Sequence, residues 1–189
     1  YHTLDYALKN IFGEKVIKLS LDGGFSCPNR DGTTGSGGCI FCSGQGSGDF
    51  AGSGKLTISQ QIAQQKALLS GKWAANKYIA YFQNYTNTYA PISVLRERYE
   101  KALACEGIAG LAIATRPDCV SPEVADLLQH FSDSTFLWVE LGLQTIHPES
   151  AAFINRGYDL DCFLHACDLL RERRVRTVVH LIMGLPGES

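Results

Sequence analysis

Short apolar runs alternate along this chain with stretches in which apolar residues recur every three or four positions. Such runs are typical of strands in a buried parallel sheet, and the wider spacing is typical of amphipathic helices. The predicted strands are 16–21, 78–82, 111–115, 137–143 and 177–183. The predicted helices are 3–12, 59–70, one from Pro91 to before Gly107, one after Ser121, a short turn at Pro148 and one around Cys167.

The order of these elements, strand and helix in turn, predicts an α/β domain built from βα units on a parallel sheet. Right-handed crossovers between the strands are nearly obligatory in such a sheet. The alternation excludes an all-α or all-β domain, but it does not separate an open sheet from a barrel. A length of 189 residues, of which 45% are hydrophobic, is enough to form one core.

One long loop, residues 23–54, follows the first predicted strand and is rich in Gly and Ser. Loops of this length are usually functional or disordered. The loop contains Cys27, Cys39 and Cys42, with eleven residues in the first gap and two in the second. Because ligands of parallel α/β domains bind at the carboxyl ends of the strands, these thiols lie where a ligand is expected.

Thiolates are soft ligands that suit Zn²⁺ or an iron–sulfur cluster, and spacing alone leaves both metals open. A structural zinc site takes four protein ligands, but the next thiol after the loop is the distant Cys105. A 4Fe–4S cluster on three thiolates would instead keep one iron free for a substrate or cofactor. The ligand count favours a cluster over a zinc site with a distant fourth ligand, or over unliganded thiols.

The charge of the chain points to no particular partner. Seventeen Lys and Arg against nineteen Asp and Glu give a net charge of −2, so no overall field attracts nucleic acid or an anionic membrane. No apolar run approaches the roughly 20 residues that span a bilayer, and the first residues lack the layout of a signal peptide. We therefore expect a cytoplasmic protein whose thiols stay reduced.

The other cysteines carry weaker signals. Cys119 as the nucleophile of an α/β hydrolase or transferase has little support, because no histidine lies at a recognisable spacing from it. Residues 115–119 follow the third strand, and the sequence does not decide between a cofactor contact and simple turn chemistry there. Cys105, Cys162 and Cys167 are expected to be small core hydrophobes.

The three loop cysteines, with the aromatic Phe41 directly before the third, resemble the signature of the radical SAM superfamily. The long first gap is similar to that of a widely distributed, poorly characterised bacterial radical SAM family, and elongator-type acetyltransferase subunits also have non-standard spacing. The resemblance implies a parallel-stranded partial (β/α)6 TIM-like barrel, truncated after strand five. Residues 1–189 would then be a single radical SAM core domain that lacks the C-terminal part of the barrel.

The same resemblance implies cofactor contacts at the ends of later strands. Strand alternation puts Glu140, Gly142 and Gln144 on one face of strand four. By similarity, Gln144 contacts the ribose of S-adenosylmethionine, and Arg156 offers paired donors to the methionine carboxylate. The cysteines would be the catalytic and metal-binding residues, and the residues expected to bind the cofactor are Phe41, Tyr85, Thr86, Glu140, Gln144, Arg156, His180, Gly184 and Leu185.

Two of these contacts follow the pattern of particular relatives. Thr86 matches the end of the turn whose backbone receives the methionine amine in oxygen-independent coproporphyrinogen oxidases, and segment 180–187 resembles a fifth-strand motif that packs on adenine. Structural roles stay open beside these. Glu140 could be a structural acid paired with a lysine or arginine, Arg156 a helix-end cation and His180 a hydrogen-bonded core residue.

The resemblance implies a radical SAM enzyme. A one-electron donor of the flavodoxin or ferredoxin type would reduce the 4Fe–4S cluster, and S-adenosylmethionine would be cleaved to a 5′-deoxyadenosyl radical that abstracts hydrogen from an unidentified substrate. Relatives act on tRNA, porphyrins and small molecules, and near-neutral charge neither demands nor excludes RNA. The competing hypothesis is a zinc-stabilised or redox-sensing iron–sulfur binding module without S-adenosylmethionine chemistry.

Overall fold

Helices and strands alternate through the computed structural model, which describes residues 2–188. The strands are β1 (Val16–Leu21), β2 (Lys77–Phe82), β3 (Ile108–Thr115), β4 (Phe136–Gln144) and β5 (Arg176–Leu181). The α-helices are α1 (Leu4–Phe12), α2 (Ile58–Ser70), α3 (Ile92–Leu103), α4 (Pro122–Ser134), α5 (Pro148–Phe153) and α6 (Leu160–Glu172), and a 3-10 turn covers Pro117–Cys119.

All five strands are parallel and form one sheet in the order β1-β2-β3-β4-β5. Within the described residues β1 pairs only with β2 and β5 only with β4, so the sheet is not closed. The predicted parallel α/β fold is confirmed, and an open sheet agrees with a partial barrel. Among the described helices, none is long and apolar enough to cross a membrane.

Local sequence signals explain where the helices begin and end. Thr3 accepts a hydrogen bond from the backbone of Tyr6 at the start of α1, and Gly13 ends that helix at a φ of +74°. Thr57 and Gln60 form a reciprocal capping box that starts α2. The Ser121 cap predicted for α4 is confirmed. Strand five, predicted to reach Met183, ends two residues earlier.

The two faces of the sheet have different cores. One face packs against α2, α3, α4 and α6 in a large apolar cluster that includes Leu19, Phe82 and Tyr99. The other face carries a smaller apolar cluster, in which Leu8 of α1 packs beside Trp138. Helix α1 covers only this part of the second face. The carboxyl ends of the strands on the same face are therefore left open for a cavity.

Candidate functional site

A cavity of about 560 Å³ opens at the carboxyl ends of the strands, on the same face as α1. Its volume lies in the range of ordinary small-molecule sites. The cysteine loop forms part of its wall and the strand ends form the rest. Residues predicted from the sequence that line it are Cys27, Cys39, Phe41, Cys42, Tyr85, Thr86, Glu140, Gln144 and His180.

Distant parts of the chain hold the cysteine loop in place. The buried side chain of Asn29 donates to the carbonyl of Asn155 at 2.6 Å and to the Cys39 Sγ at 3.5 Å. Asn155 donates in return to the Gly38 carbonyl at 2.7 Å. Arg30 donates to the Ser43 carbonyl at 2.6 Å, just after the third cysteine. The loop therefore has a defined shape although it contains no helix and only one isolated bridge.

Two of the three cysteines lie on one tight turn. The backbone N–H of Cys42 donates to the Cys39 carbonyl at 3.0 Å. Ser47 Oγ donates to the Cys42 Sγ at 3.1 Å. The hydrogen bond with Cys39 lowers the pKa of Cys42 to about 6 and raises that of Cys39. The pair therefore favours the thiolate form of Cys42.

The thiols fit a cluster better than a single metal ion. Among residues 2–188, no three His, Cys, Asp or Glu side chains are arranged to bind one ion together. A cluster offers a separate iron to each thiolate, so its ligands surround a larger centre than those of zinc. Three soft ligands on one cavity wall, two of them accepting hydrogen bonds from neighbouring side chains, suit such a centre.

Arg116 is a cavity residue to which the sequence assigned no role. Its guanidinium is 8% exposed and donates to both Asp118 carboxylate oxygens, at 2.9 and 2.7 Å. Its Nη1 donates to the Arg156 carbonyl at 2.9 Å and lies 4.0 Å from the Cys39 Sγ. Burial opposes the charge, but Asp118 outweighs it and raises the pKa of Arg116. The only sequence signal was its place after β3.

Glu140 is the centre of a charged cluster on the inner face. The side chain is 4% exposed and accepts hydrogen bonds from Lys18, from Trp138 Nε1 at 2.9 Å and from His180 Nε2 at 3.1 Å. Burial would raise the pKa of Glu140, but the contacts with His180 and Lys18 outweigh it and lower the pKa to about 2. Glu140 is thus paired with a lysine and also lines the cavity.

His180 is not a core residue, because its side chain is 47% exposed and lies in the cavity wall. Tyr85 and Gln144 have left-handed backbones, with φ of +59° and +66°. Such values are uncommon outside glycine and often occur at functional sites. The hydroxyl of Thr86 is buried and has no hydrogen-bond partner among the described residues, so the cavity holds a polar group that a ligand could satisfy.

Three predicted contacts do not lie in the cavity wall: Arg156, Gly184 and Leu185. Arg156 is 2% exposed, and its Nη1 donates to the carbonyls of Leu143 and Thr145, at 2.6 Å each. Its Nε donates to the Tyr158 carbonyl at 3.0 Å. Its guanidinium therefore binds the backbone just after β4, and this geometry does not support the role implied for it at a methionine carboxylate.

Comparison with known proteins decides the family. The model of the Radical SAM superfamily matches residues 30–189. The protein YtqA of Bacillus subtilis is 51% identical over 189 residues, which are 100% of this chain and 59% of YtqA. The chain belongs to the radical SAM superfamily. It spans little more than half the length of this curated relative.

Another relative and two solved structures are also similar to this chain. A tRNA uridine(34) acetyltransferase of Methanocaldococcus jannaschii is 36% identical over 80 residues, which are 42% of this chain and 14% of that protein. Elp3 of Methanocaldococcus infernus has a TM-score of 0.62 at 17% identity, over 92% of this chain and 39% of that one. The radical SAM enzyme HemN of Escherichia coli, a coproporphyrinogen III oxidase, has a TM-score of 0.52 at 18% identity, over 90% and 37%. These structures show the shared fold.

Radical SAM enzymes use a 4Fe–4S cluster and S-adenosylmethionine, so the cofactors predicted for this chain are confirmed at the level of the family.

The surroundings of Cys119 bear on its weighed role as a nucleophile. Burial, followed by the charge of Asp118, raises the pKa of Cys119. A thiol that stays protonated is a poor nucleophile, which argues against a cysteine hydrolase or transferase.

Proposed function

We propose that Cys27, Cys39 and Cys42 hold a 4Fe–4S cluster and that the adjoining cavity binds S-adenosylmethionine. The carrying observation is that three thiols share the wall of one cavity of about 560 Å³, and that no fourth cysteine of the described residues lines it. The bound cofactors would supply the reductive cleavage that gives a 5′-deoxyadenosyl radical. The zinc-stabilised module has no comparable support, since the family match is to radical SAM proteins.

Side chains around the thiols would hold and stabilise the cluster ligands. Asn29 and Ser47 donate to the sulfurs of Cys39 and Cys42, and hydrogen bonds to thiolates stabilise their negative charge. Arg30 fixes the turn that follows Cys42 through the Ser43 carbonyl. Together these contacts would hold the cysteine loop in one shape around the thiols.

Polar groups elsewhere in the cavity wall would orient S-adenosylmethionine. The unpaired hydroxyl of Thr86 can bond to its methionine end, and the amide of Gln144 can bond to ribose hydroxyls. Phe41, Tyr85 and His180 provide ring surfaces in the same wall. Gly184, Leu185 and Arg156 lie outside the wall, and their contacts with the cofactor stay predictions.

The proposed site also depends on an electron donor, a cellular compartment and a substrate. An electron donor of the flavodoxin or ferredoxin type would reduce the cluster, and the cytoplasm would keep the thiols reduced before the cluster forms. The substrate class is tested as either tRNA or a small molecule. Local similarity to a tRNA uridine(34) acetyltransferase supports tRNA, whereas a net charge of −2 does not.

Anaerobic reconstitution of the full-length protein with iron and sulfide tests the cluster. We expect about four irons per chain, a reduced-state paramagnetic signal that changes with S-adenosylmethionine, and formation of 5′-deoxyadenosine. Cys27→Ser, Cys39→Ser and Cys42→Ser should each lose all three. Cys105→Ser, just after α3, and Cys167→Ser, on α6, lie away from the cavity and are matched controls that should keep them. A colourless protein with one tightly held zinc contradicts the proposal.

A second assay separates the substrate classes. The rate of 5′-deoxyadenosine formation is measured with total tRNA, with the same tRNA after ribonuclease digestion, and with a protein-free small-molecule extract. Stimulation that ribonuclease removes supports tRNA. Stimulation by the extract alone supports a small-molecule substrate.

A further inference from the structure

The buried positive charge of Arg116 lies beside the thiols, and it has no role in the proposed function. A guanidinium is costly to remove from water unless it is paired and hydrogen-bonded. Arg116 is 8% exposed, yet the short turn that follows it needs only backbone contacts, such as the hydrogen bond of 3.1 Å from Val120 N–H to the Pro117 carbonyl. The turn alone therefore does not explain a charged side chain at this position.

The orientation of Arg116 is fixed on several sides. Nε and Nη2 bind the two oxygens of Asp118, and the guanidinium carbon lies 4.8 Å from the centre of the Tyr158 ring. Nη1 bonds to the Arg156 carbonyl, which holds that edge of the group toward the cysteine loop. The charge cannot swing away into solvent without breaking these contacts.

The edge held in this way faces the Cys39 thiol. Nη1 lies 4.0 Å from the Cys39 Sγ, within the limit for a hydrogen bond to sulfur. The Arg116 side chain also lines the cavity that the thiols share. A fixed positive charge therefore adjoins the ligands proposed to hold the cluster.

We infer that Arg116 is a positioning residue that raises the reduction potential of the cluster held by Cys27, Cys39 and Cys42, and that Asp118 limits this effect. The inference rests on the proposed function. Reduction moves one electron from a flavodoxin- or ferredoxin-type donor onto the cluster, and no bond is made or broken. Charge and hydrogen bonds at the sulfurs set cluster potentials, and a nearby cation favours the form with the extra electron.

This role predicts shifts of opposite sign for the two partners. Arg116→Gln removes the positive charge and should lower the potential. Asp118→Asn removes the balancing negative charge, while Tyr158 and the Arg156 carbonyl still hold the guanidinium, and it should raise the potential. If the two substitutions acted only by loosening the packing of the cavity wall, the reduction potential would shift in the same direction in both variants.

The test is a redox titration of the reconstituted full-length protein, followed by the paramagnetic signal of the reduced cluster. For Arg116→Gln we expect about a tenfold drop in the reduced-to-oxidised ratio at a fixed potential, which is about 59 mV for one electron. Arg116→Lys keeps the positive charge, so its reduction potential should stay nearer to that of the parent protein. Arg173→Gln removes a carboxylate-paired arginine outside the cavity wall and should change nothing.

The outcomes separate this inference from the proposed function. If the parent protein takes up no cluster, the proposed function fails before any variant is compared. If Arg116→Gln takes up the cluster with an unchanged potential, or shifts in the same direction as Asp118→Asn, the inference is overturned. If Arg116→Gln cannot take up a cluster, Asp118→Asn decides: a raised potential supports the inference, and an unchanged or lowered one overturns it.

Discussion

The side-chain amide of Asn29 donates a hydrogen bond of 2.6 Å to the carbonyl of Asn155, 126 residues farther along the chain. Asn155 has a left-handed backbone with φ of +53°, which turns its own amide back toward the Gly38 carbonyl at 2.7 Å. Asparagine tolerates this backbone better than most residues. The cysteine loop after β1 is thus positioned by the turn after α5.

Asn29→Ala tests this connection. The variant removes a buried side chain that donates to the Asn155 carbonyl and to the Cys39 Sγ, and it leaves both acceptors without this partner. We expect a loss of about 1–3 kcal/mol in the free energy of unfolding, measured in urea, and a lower iron content after reconstitution. Asn10→Ala, on the exposed side of α1, is the matched control and should change neither. Equal stability of the two variants would contradict the connection.

Sequence patterns located most of the fold for a physical reason. Buried parallel strands need continuous apolar runs, so β1 was predicted at its observed bounds and β4 within one residue at each end. The cysteine loop contains no such apolar run. Its shape comes from long-range side-chain contacts such as Asn29 to Asn155, which no local pattern encodes. Strand alternation did place Glu140 and Gln144 in one wall, as observed.

Arg156 shows why residue type alone did not predict every contact. A guanidinium can bind a ligand carboxylate or the protein backbone, and the sequence cannot tell which partner is near. Arg116 has the same chemistry and does line the cavity, yet Asp118, only two residues away, takes two of its donors. The folded surroundings, not the side chain, decide between the two uses.

Arg156→Gln should therefore weaken the fold itself. The substitution removes donors to the buried carbonyls of Leu143, Thr145 and Tyr158, and we expect a loss of about 3 kcal/mol in the free energy of unfolding without any ligand. Urea unfolding of the ligand-free protein measures it. Arg171→Gln, at an exposed pair with Asp168, should have little effect. If Arg156→Gln unfolds like the parent and only ligand binding suffers, the backbone role is wrong.

Glu140→Gln should destabilise the chain at neutral pH and much less in acid. The pKa of Glu140 is lowered to about 2 in the folded protein, so its stabilisation is complete above the ordinary glutamate pKa, near 4.5, and is lost as the pH falls toward 2. We expect a loss of about 3 kcal/mol at pH 7. Unfolding in urea at pH 7 and at pH 3 gives the comparison.

The control for Glu140 is Glu97→Gln, which removes a carboxylate from an exposed pair with Lys101 on α3. Solvent screens such a pair, so its loss should hardly change stability at either pH. A difference between parent and Glu140→Gln that persists unchanged at pH 3 would show that packing, not the charge near Lys18 and His180, stabilises this face.

Gly110→Ala should disrupt the sheet beside the site. Gly110 pairs with Phe136 across β3 and β4, and an added Cβ would lie 2.2 Å from the Phe136 carbonyl oxygen. Backbone cannot move aside as a flexible side chain can, so we expect a loss of about 3 kcal/mol in the free energy of unfolding.

Gly71, after α2, has a helical backbone and nothing within 4 Å of an added Cβ. Gly71→Ala should therefore raise stability by about 0.4–1 kcal/mol, because it restricts the unfolded chain. If both alanines have the same effect, close approach of the β4 backbone is not the reason for glycine in β3.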